Sequence, residues 1–213
     1  MTIREKEDLI FDKLKNPDII KDGIADESQY LSAEYKIIYI MKEVNGGKGW
    51  DLRDFIKDGG RSQTWDNIAR WTEGILNLDK DYPWDYLKED NEARRMKYLK
   101  KIGAVNLKKL SGTYESIPNE ISAAACENKQ IIKEQIDLYD PDIIICCGTA
   151  VDYVNNCIDP AYKNWQMTRR GIPYIRLANK IIIDHCHPGA RFRDSIKYYA
   201  LVDAVHEILK YTS

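Results

Sequence analysis

Lys36-Ile37-Ile38-Tyr39-Ile40-Met41 runs directly into Lys42-Glu43-Val44-Asn45-Gly46-Gly47-Lys48-Gly49. The first half is apolar on both faces of an extended chain, the pattern of a strand buried inside a sheet. The second half is polar and glycine-rich, which predicts a loop at the carboxyl end of that strand. The same arrangement recurs along the chain. Ile102 to Leu107 reads as a second strand that closes on Asn106, and Pro141-Asp142-Ile143-Ile144-Ile145-Cys146-Cys147-Gly148 as a third that stops at glycine. A fourth, Ile172 to Leu177, leads through Asn179 to a fifth, Ile181 to Ile183. The loop Asp184-His185-Cys186-His187-Pro188-Gly189-Ala190-Arg191 follows it.

Helical spacings lie between these strands. Trp65, Ile68, Ala69, Trp71, Thr72 and Ile75 predict a helix from Thr64 to Leu78. Asn91 to Lys101 reads as a basic helix. Pro118 opens a helix through about Tyr139, with Ile121, Ala125, Ile132, Ile136 and Tyr139 on one side. Thr149 starts another, and a last helix runs from Asp194 to about Tyr211 with Ile196, Ala200, Val205 and Ile208 inward. Within residues 1–35, Leu9, Ile10, Leu14, Ile19 and Ile20 suggest short helices. The alternation predicts a three-layer α/β/α sandwich around a central, mainly parallel sheet. Residues 36–213 form this domain, and 1–35 an acidic helical extension packed on it. Ligands in such folds bind beyond the carboxyl ends of the strands. Three of those ends carry polar residues of chemical interest: Asn45, Asn106 and His187.

Composition narrows the class. The chain has 213 residues, 32 Lys and Arg against 34 Asp and Glu, and 44% hydrophobic residues. That is the balance of a soluble globular protein, with one large domain as the default and two small ones as the alternative. No stretch approaches the ~18 consecutive apolar residues of a membrane span. The amino terminus lacks the apolar segment of a secretory leader. The five cysteines, Cys126, Cys146, Cys147, Cys157 and Cys186, form no C-x-x-C pair. Cys146 and Cys147, adjacent on a strand, face opposite ways. Reduced thiols in a cytoplasmic protein are the expectation. The near-neutral total argues against a protein that coats nucleic acid by bulk electrostatics.

The three strand-end loops occur in the order and rough spacing seen in the uracil-DNA glycosylase superfamily. The chain resembles that family from about Ile37 to the last helix, most of all its single-strand-selective and mismatch-specific branches. Glu43-Val44-Asn45-Gly46-Gly47 is similar to the family's G-x-N-P-G loop, Asn106 to the Asn that closes a later strand, and His187-Pro188-Gly189-Ala190-Arg191 to H-P-S-P-R. The segment from Pro141 to Gly148 is similar to its proline-led apolar strand. Departures are Glu43 for Gly, Gly46 for Pro, and Gly189 and Ala190 for Ser and Pro.

The resemblance implies a DNA N-glycosylase that hydrolyses the bond between sugar and an extruded uracil-like or modified base. His187 would hydrogen-bond the departing base, and one such donor in a dry site supplies roughly 3 kcal/mol. Asn45 would orient the attacking water, which an amide can do although it is a poor base. Asn106 would read the base edge, with Trp50 or Phe55 as an aromatic floor. Glu43 could contact a modified base, pair with a lysine or face solvent. Arg191 would fill the gap left by the extruded base, and Lys48, Lys108 and Lys109 would meet the DNA backbone. Each residue also has a plainer reading. Asn-Gly commonly holds a turn, a loop His is commonly tied to backbone, and most Trp and Phe belong to a core.

The charge distribution fits local contact with DNA. Residues 1–35 carry five Lys and Arg against nine Asp and Glu. Ala93 to Leu110 carries seven basic residues and no acid, and Pro160 to Ala200 eight basic residues against Asp184 and Asp194. A solvated helix face is the common alternative for such runs. His185 and His187 invite a metal reading, but no further ligands appear at a suitable spacing. Cys126 is placed like a ligand of the family's iron–sulfur branch, yet no C-x-x-C accompanies it. Neither a G-x-x-x-x-G-K-[ST] loop nor a G-x-S-x-G elbow occurs. A monomer without metal or cofactor is expected. Two other functions remain open: a non-catalytic module that binds nucleic acid or a base on the same fold, and an enzyme acting on nucleosides or nucleotides.

Overall fold

The computed structural model describes residues 1–210. A seven-stranded sheet organises the molecule. In chain order its strands are β1 (Gly23–Ile24), β2 (Ile37–Met41), β3 (Ile102–Asn106), β4 (Ile143–Cys147), β5 (Trp165–Met167), β6 (Pro173–Leu177) and β7 (Lys180–His185). Their spatial order is β1-β3-β2-β4-β7-β6-β5. The central four, β3, β2, β4 and β7, are mutually parallel, so their carboxyl ends share one edge. β1 pairs antiparallel with β3 at one side, and β6 and β5 continue antiparallel from β7 at the other.

The helices are α1 (Ile3–Asp12), α2 (Glu27–Leu31), α3 (Leu52–Lys57), α4 (Ser62–Ile75), α5 (Trp84–Lys88), α6 (Asn91–Tyr98), α7 (Pro118–Glu127), α8 (Lys129–Tyr139), α9 (Ala150–Cys157) and α10 (Asp194–Lys210). They cover both faces. On one, Ile37, Tyr39, Ile143, Ile145, Cys147, Ile181 and Ile183 pack under α3, α4, α6 and α10. On the other, Ile38, Ile40, Ile144, Cys146 and Ile182 pack under α7, α8 and α9. Period-two alternation therefore sends successive residues of each central strand into different cores, and a continuous apolar run satisfies both. Each isoleucine buried this way contributes about 1.5–3 kcal/mol relative to exposure. The expected three-layer α/β/α sandwich with a mainly parallel sheet is the observed architecture.

Several local expectations change. The helix predicted from Pro118 to Tyr139 is two helices that meet at Asn128, whose side-chain amide donates to the Leu107 carbonyl at 2.9 Å. In α10 the inward set is Lys197, Tyr198, Leu201, Ala204, Val205 and Ile208, while Ile196 is 55% exposed. The stripe expected from Ile196 and Ala200 lies one residue out of register over the first two turns, where Lys197 and Leu201 face inward, and Val205 and Ile208 face inward as expected. Its expected end at Tyr211 lies outside the described residues.

Ile19 and Ile20 form no helix. The Ile20 N–H donates to the Lys109 carbonyl at 2.7 Å, the Lys21 N–H to the Trp50 carbonyl at 3.1 Å, and the Leu52 N–H to the Lys21 carbonyl at 2.8 Å. Residues 1–35 thus carry two short helices, α1 and α2, and are tied to the domain by β1 and by these bonds to the loops at the sheet's carboxyl edge. No helix among the described residues is long and apolar enough to cross a membrane.

Candidate functional site

A cleft of about 840 Å³ opens at the carboxyl edge of the parallel strands. Asn45 from the loop after β2, Asn106 at the end of β3 and His187 from the loop after β7 all line it. So do Glu43, Trp50, Phe55 and Arg191. Seven of the sequence-derived candidates thus share one cavity. The topology explains why: three parallel strands deliver their following loops to the same edge.

The loops after β2 and β3 continue as a pair beyond the sheet. Leu107 N–H donates to Met41 O at 3.0 Å, Lys108 N–H to Lys42 O at 2.9 Å, and Gly112 N–H to Val44 O at 2.8 Å. This zipper fixes Asn45 relative to Asn106. Within the first loop Gly47 has φ +81°, and a Cβ there would sit 2.4 Å from Trp50 Nε1. The glycine therefore lets Trp50 fold over the loop, where its Nε1–H donates to Gly46 O at 3.3 Å. Trp50 and Phe55 meet edge to face, with ring centroids 5.7 Å apart.

Asn106 is 2% exposed. Its backbone N–H donates to Asp22 Oδ2 at 2.7 Å, while its side-chain amide makes no hydrogen bond to another described residue. An amide in that condition is available to a ligand with either its donor or its acceptor.

His187 sits in a braced loop. Pro188 O accepts from Asn67 Nδ2 at 2.9 Å and from Lys197 Nζ at 2.7 Å, and Ala190 O from the same Nζ at 3.1 Å. His187 Nδ1 accepts the Gly189 N–H at 3.1 Å. An acceptor at Nδ1 places the ring proton of the neutral imidazole on Nε2. Desolvation, reinforced by the positive charges of Lys42 and Lys197, pushes its pKa down to about 4. At neutral pH the ring is uncharged and offers one donor, Nε2–H.

His185, two residues earlier, is buried and meets Trp71 edge to face at 4.8 Å. Burial lowers its pKa to about 4 as well. The two histidines thus occupy different environments. No group of three or more His, Cys, Asp or Glu suited to a metal occurs among the described residues.

These shifts have a consequence for stability. Each ring is protonated in the unfolded chain below about pH 6.5 but stays neutral in the folded protein until about pH 4. The unfolded state therefore binds more protons across that window, and stability falls as pH drops from about 6.5 to about 4. His185 alone is expected to account for about 3 kcal/mol of that loss. Urea unfolding at a series of pH values measures it, and His185→Phe should flatten the slope.

The basic residues require corrections. Lys109 is 3% exposed, and its ammonium lies 2.8 and 2.9 Å from the two carboxylate oxygens of Asp22 and 2.7 Å from Gln135 Oε1. It is an interior residue and meets no DNA. Arg94 is buried on Glu73, and Arg95 pairs with Asp66. The run from Ala93 to Leu110 is therefore in large part an internal network. Lys108 stands between Glu43 and Glu120, and Lys48 pairs with Asp18 outside the cleft. Along the second run, Arg170 pairs with Asp203, Lys180 with Asp140 and Lys197 with Asp194. Arg191 lines the cleft with no acidic partner among the described residues, as does Arg61.

Sequence reasoning missed Arg61, Gln63, Thr64 and Trp65 at the start of α4, and Thr113 to Ser116 after β3. Trp65, which the helical spacing placed only on the helix from Thr64, is 6% exposed and stands on the cleft wall. Tyr114, 81% exposed at the mouth, follows Ser111-Gly112-Thr113, a turn-like run that signalled a loop but not its position. The chain matches no protein-family model and no curated protein sequence.

Proposed function

We propose that the protein is a DNA N-glycosylase that admits one extruded base to this cleft and hydrolyses its bond to the sugar. The observation that carries the reading is the meeting of Asn45, Asn106 and His187 at one cavity, with His187 neutral and its free donor on Nε2. In this reaction the C1′–N bond electrons leave with the base, the sugar becomes cation-like, and water adds at C1′ and gives its proton to solvent. His187 Nε2–H would donate to an oxygen of the departing base as negative charge grows there. Asn45 would hold the water by its side-chain oxygen, which suffices when the sugar cation needs little nucleophilic push. Asn106 would pair with the base edge. Trp50, Phe55 and Trp65 supply aromatic walls for the ring. Arg61 and Arg191, unpaired among the described residues, would meet flanking phosphates.

The test is abasic-site formation on single- and double-stranded oligonucleotides, each carrying one of a panel of deaminated, modified and ordinary bases. Base release by the wild-type protein and its loss in Asn45→Ala are the expected results. A protein that leaves every base in place on both kinds of strand is not a glycosylase. Saturable binding without release would then identify a binding module, and turnover of free nucleosides a nucleoside enzyme.

A further inference from the structure

The first turn of α10 inverts the usual preference for burial. Lys197 is 2% exposed, whereas its neighbour Ile196 is 55% exposed. Lysine is seldom fully buried and isoleucine commonly is. The packing of the helix imposes the choice. α10 approaches α4 so closely at Gly74 that a Cβ there would fall 2.6 Å from Tyr198 Oη and from Val202 Cγ2. That contact, with Leu201, Val205 and Ile208 inward, sets the rotation of the helix and turns Lys197 toward the His187 loop. The Lys197 ammonium donates to Pro188 O at 2.7 Å and to Ala190 O at 3.1 Å, and lies 2.6 Å from Asp194 Oδ1. Both carbonyls belong to the turn that follows His187, which the Ala190 N–H closes on His187 O at 2.9 Å. A neutral amide already serves one of them, Asn67 Nδ2 on Pro188 O at 2.9 Å. Enclosing a cation beside it costs several kcal/mol before its contacts offset that cost. Places where a sequence breaks its local rule in this way are where a functional reason is expected.

We infer that Lys197 is a positioning residue for His187: its buried ammonium locks the turn that carries the imidazole and so holds the ring's free donor in the cleft. The inference rests on the glycosylase reading for what that donor does. The lock acts first through geometry. A donor displaced by ~1 Å from the charge it should meet loses up to ~100-fold in rate. It acts second through charge. Two cations bear on the ring, Lys42 after β2 and Lys197 on α10, and both oppose its protonation. A neutral ring keeps Nδ1 as the acceptor of the Gly189 N–H, which orients Nε2–H. A neutral amide in place of Lys197 would hold the carbonyls but leave that protonation less opposed. The other charged groups at the site are Glu43, Arg61 and Arg191 on the cleft wall and Asp194 on the ammonium.

The experiment follows two quantities in the wild-type protein, Lys197→Met and Lys197→Gln. One is the titration of His187 in the free protein by NMR, its signal assigned by its absence from His187→Ala. The other is base release across pH. Methionine keeps a buried stem without the charge, and glutamine keeps a shorter, neutral donor. In Lys197→Met the His187 midpoint is expected to rise from about 4 toward 6.5. Its kcat at neutral pH should fall ~10- to 100-fold with KM little changed, because the lock serves the transition state. The acid limb of the rate profile should move up with the midpoint. Lys197→Gln should show the rise with a smaller loss of kcat. A merely structural lysine would lower the thermal midpoint of unfolding and leave the His187 titration where it is. The wild-type protein supplies a readout that needs no variant: the Lys197 ammonium signal should shift as His187 titrates. An ammonium that ignores that titration, or a His187 midpoint unchanged in the variants, overturns the inference and leaves the glycosylase reading standing. A raised midpoint in the variants, with no base released by the wild-type protein, supports the lock on His187 and overturns the glycosylase reading.

Discussion

His187→Ala is expected to slow base release about 100- to 1,000-fold, the usual cost of removing one preorganised donor from a developing anion. The loop should keep its shape. Its carbonyls are held by Asn67 and Lys197 rather than by the imidazole, and only the Gly189 N–H loses a partner. The wild-type pH–rate profile adds a second, independent readout. On the glycosylase reading the ring acts in its neutral form, and burial holds its pKa near 4. Activity should therefore hold as pH falls through 6.5, where an ordinary histidine titrates, and decline only near pH 4. The sign follows from the geometry: a proton added at Nδ1 turns the acceptor of the Gly189 N–H into a donor facing a donor. An acid limb centred near 6.5, or a loss below ~10-fold in His187→Ala, would show that this ring does not touch the leaving base.

How much of this was legible in the sequence depended on whether the signal was local. The central strands were legible because isoleucine runs such as Ile143 to Ile145 are apolar on both faces, and only a sheet covered on both sides accommodates them. Asn45, Asn106 and His187 were legible because each lies at or just beyond the carboxyl end of a strand, and parallel strands end on one edge. β1 and β5 were missed because two- and three-residue strands carry no period of their own; their neighbours in the sheet define them. The lysines were misjudged for the same reason. A run of cations reads as a surface when its partners are distant in sequence, and the acids that claim Arg94, Arg95 and Lys109 lie 21, 29 and 87 residues away. Likewise, the place of Trp65 in the cleft wall depends on how α4 is laid against the sheet, which helical spacing does not encode.

The same distant pairing makes Asp22 the residue whose loss should harm the fold most. Asp22 is fully buried. Its carboxylate accepts from Lys109 Nζ, from Gln135 Nε2 at 2.9 Å and from the Asn106 N–H at 2.7 Å. Burial drags the Lys109 pKa down, and the negative charge of Asp22 opposes that pull. Asp22→Ala leaves an ammonium enclosed without a counter-charge and strips the Asn106 N–H of its acceptor. A loss of about 3–5 kcal/mol in urea unfolding is expected. Lys109→Met should cost less, because the carboxylate it leaves behind still receives the Gln135 amide and the Asn106 N–H. The double variant Asp22→Leu with Lys109→Met removes both buried charges, and it should recover a large part of the loss seen in Asp22→Ala. It should not recover activity to the same degree. The Asp22 carboxylate also holds the backbone from which Asn106 faces the cleft, and a leucine offers that N–H nothing. A double variant no more stable than Asp22→Ala would mean that packing around this site, rather than the uncompensated charge, sets the cost.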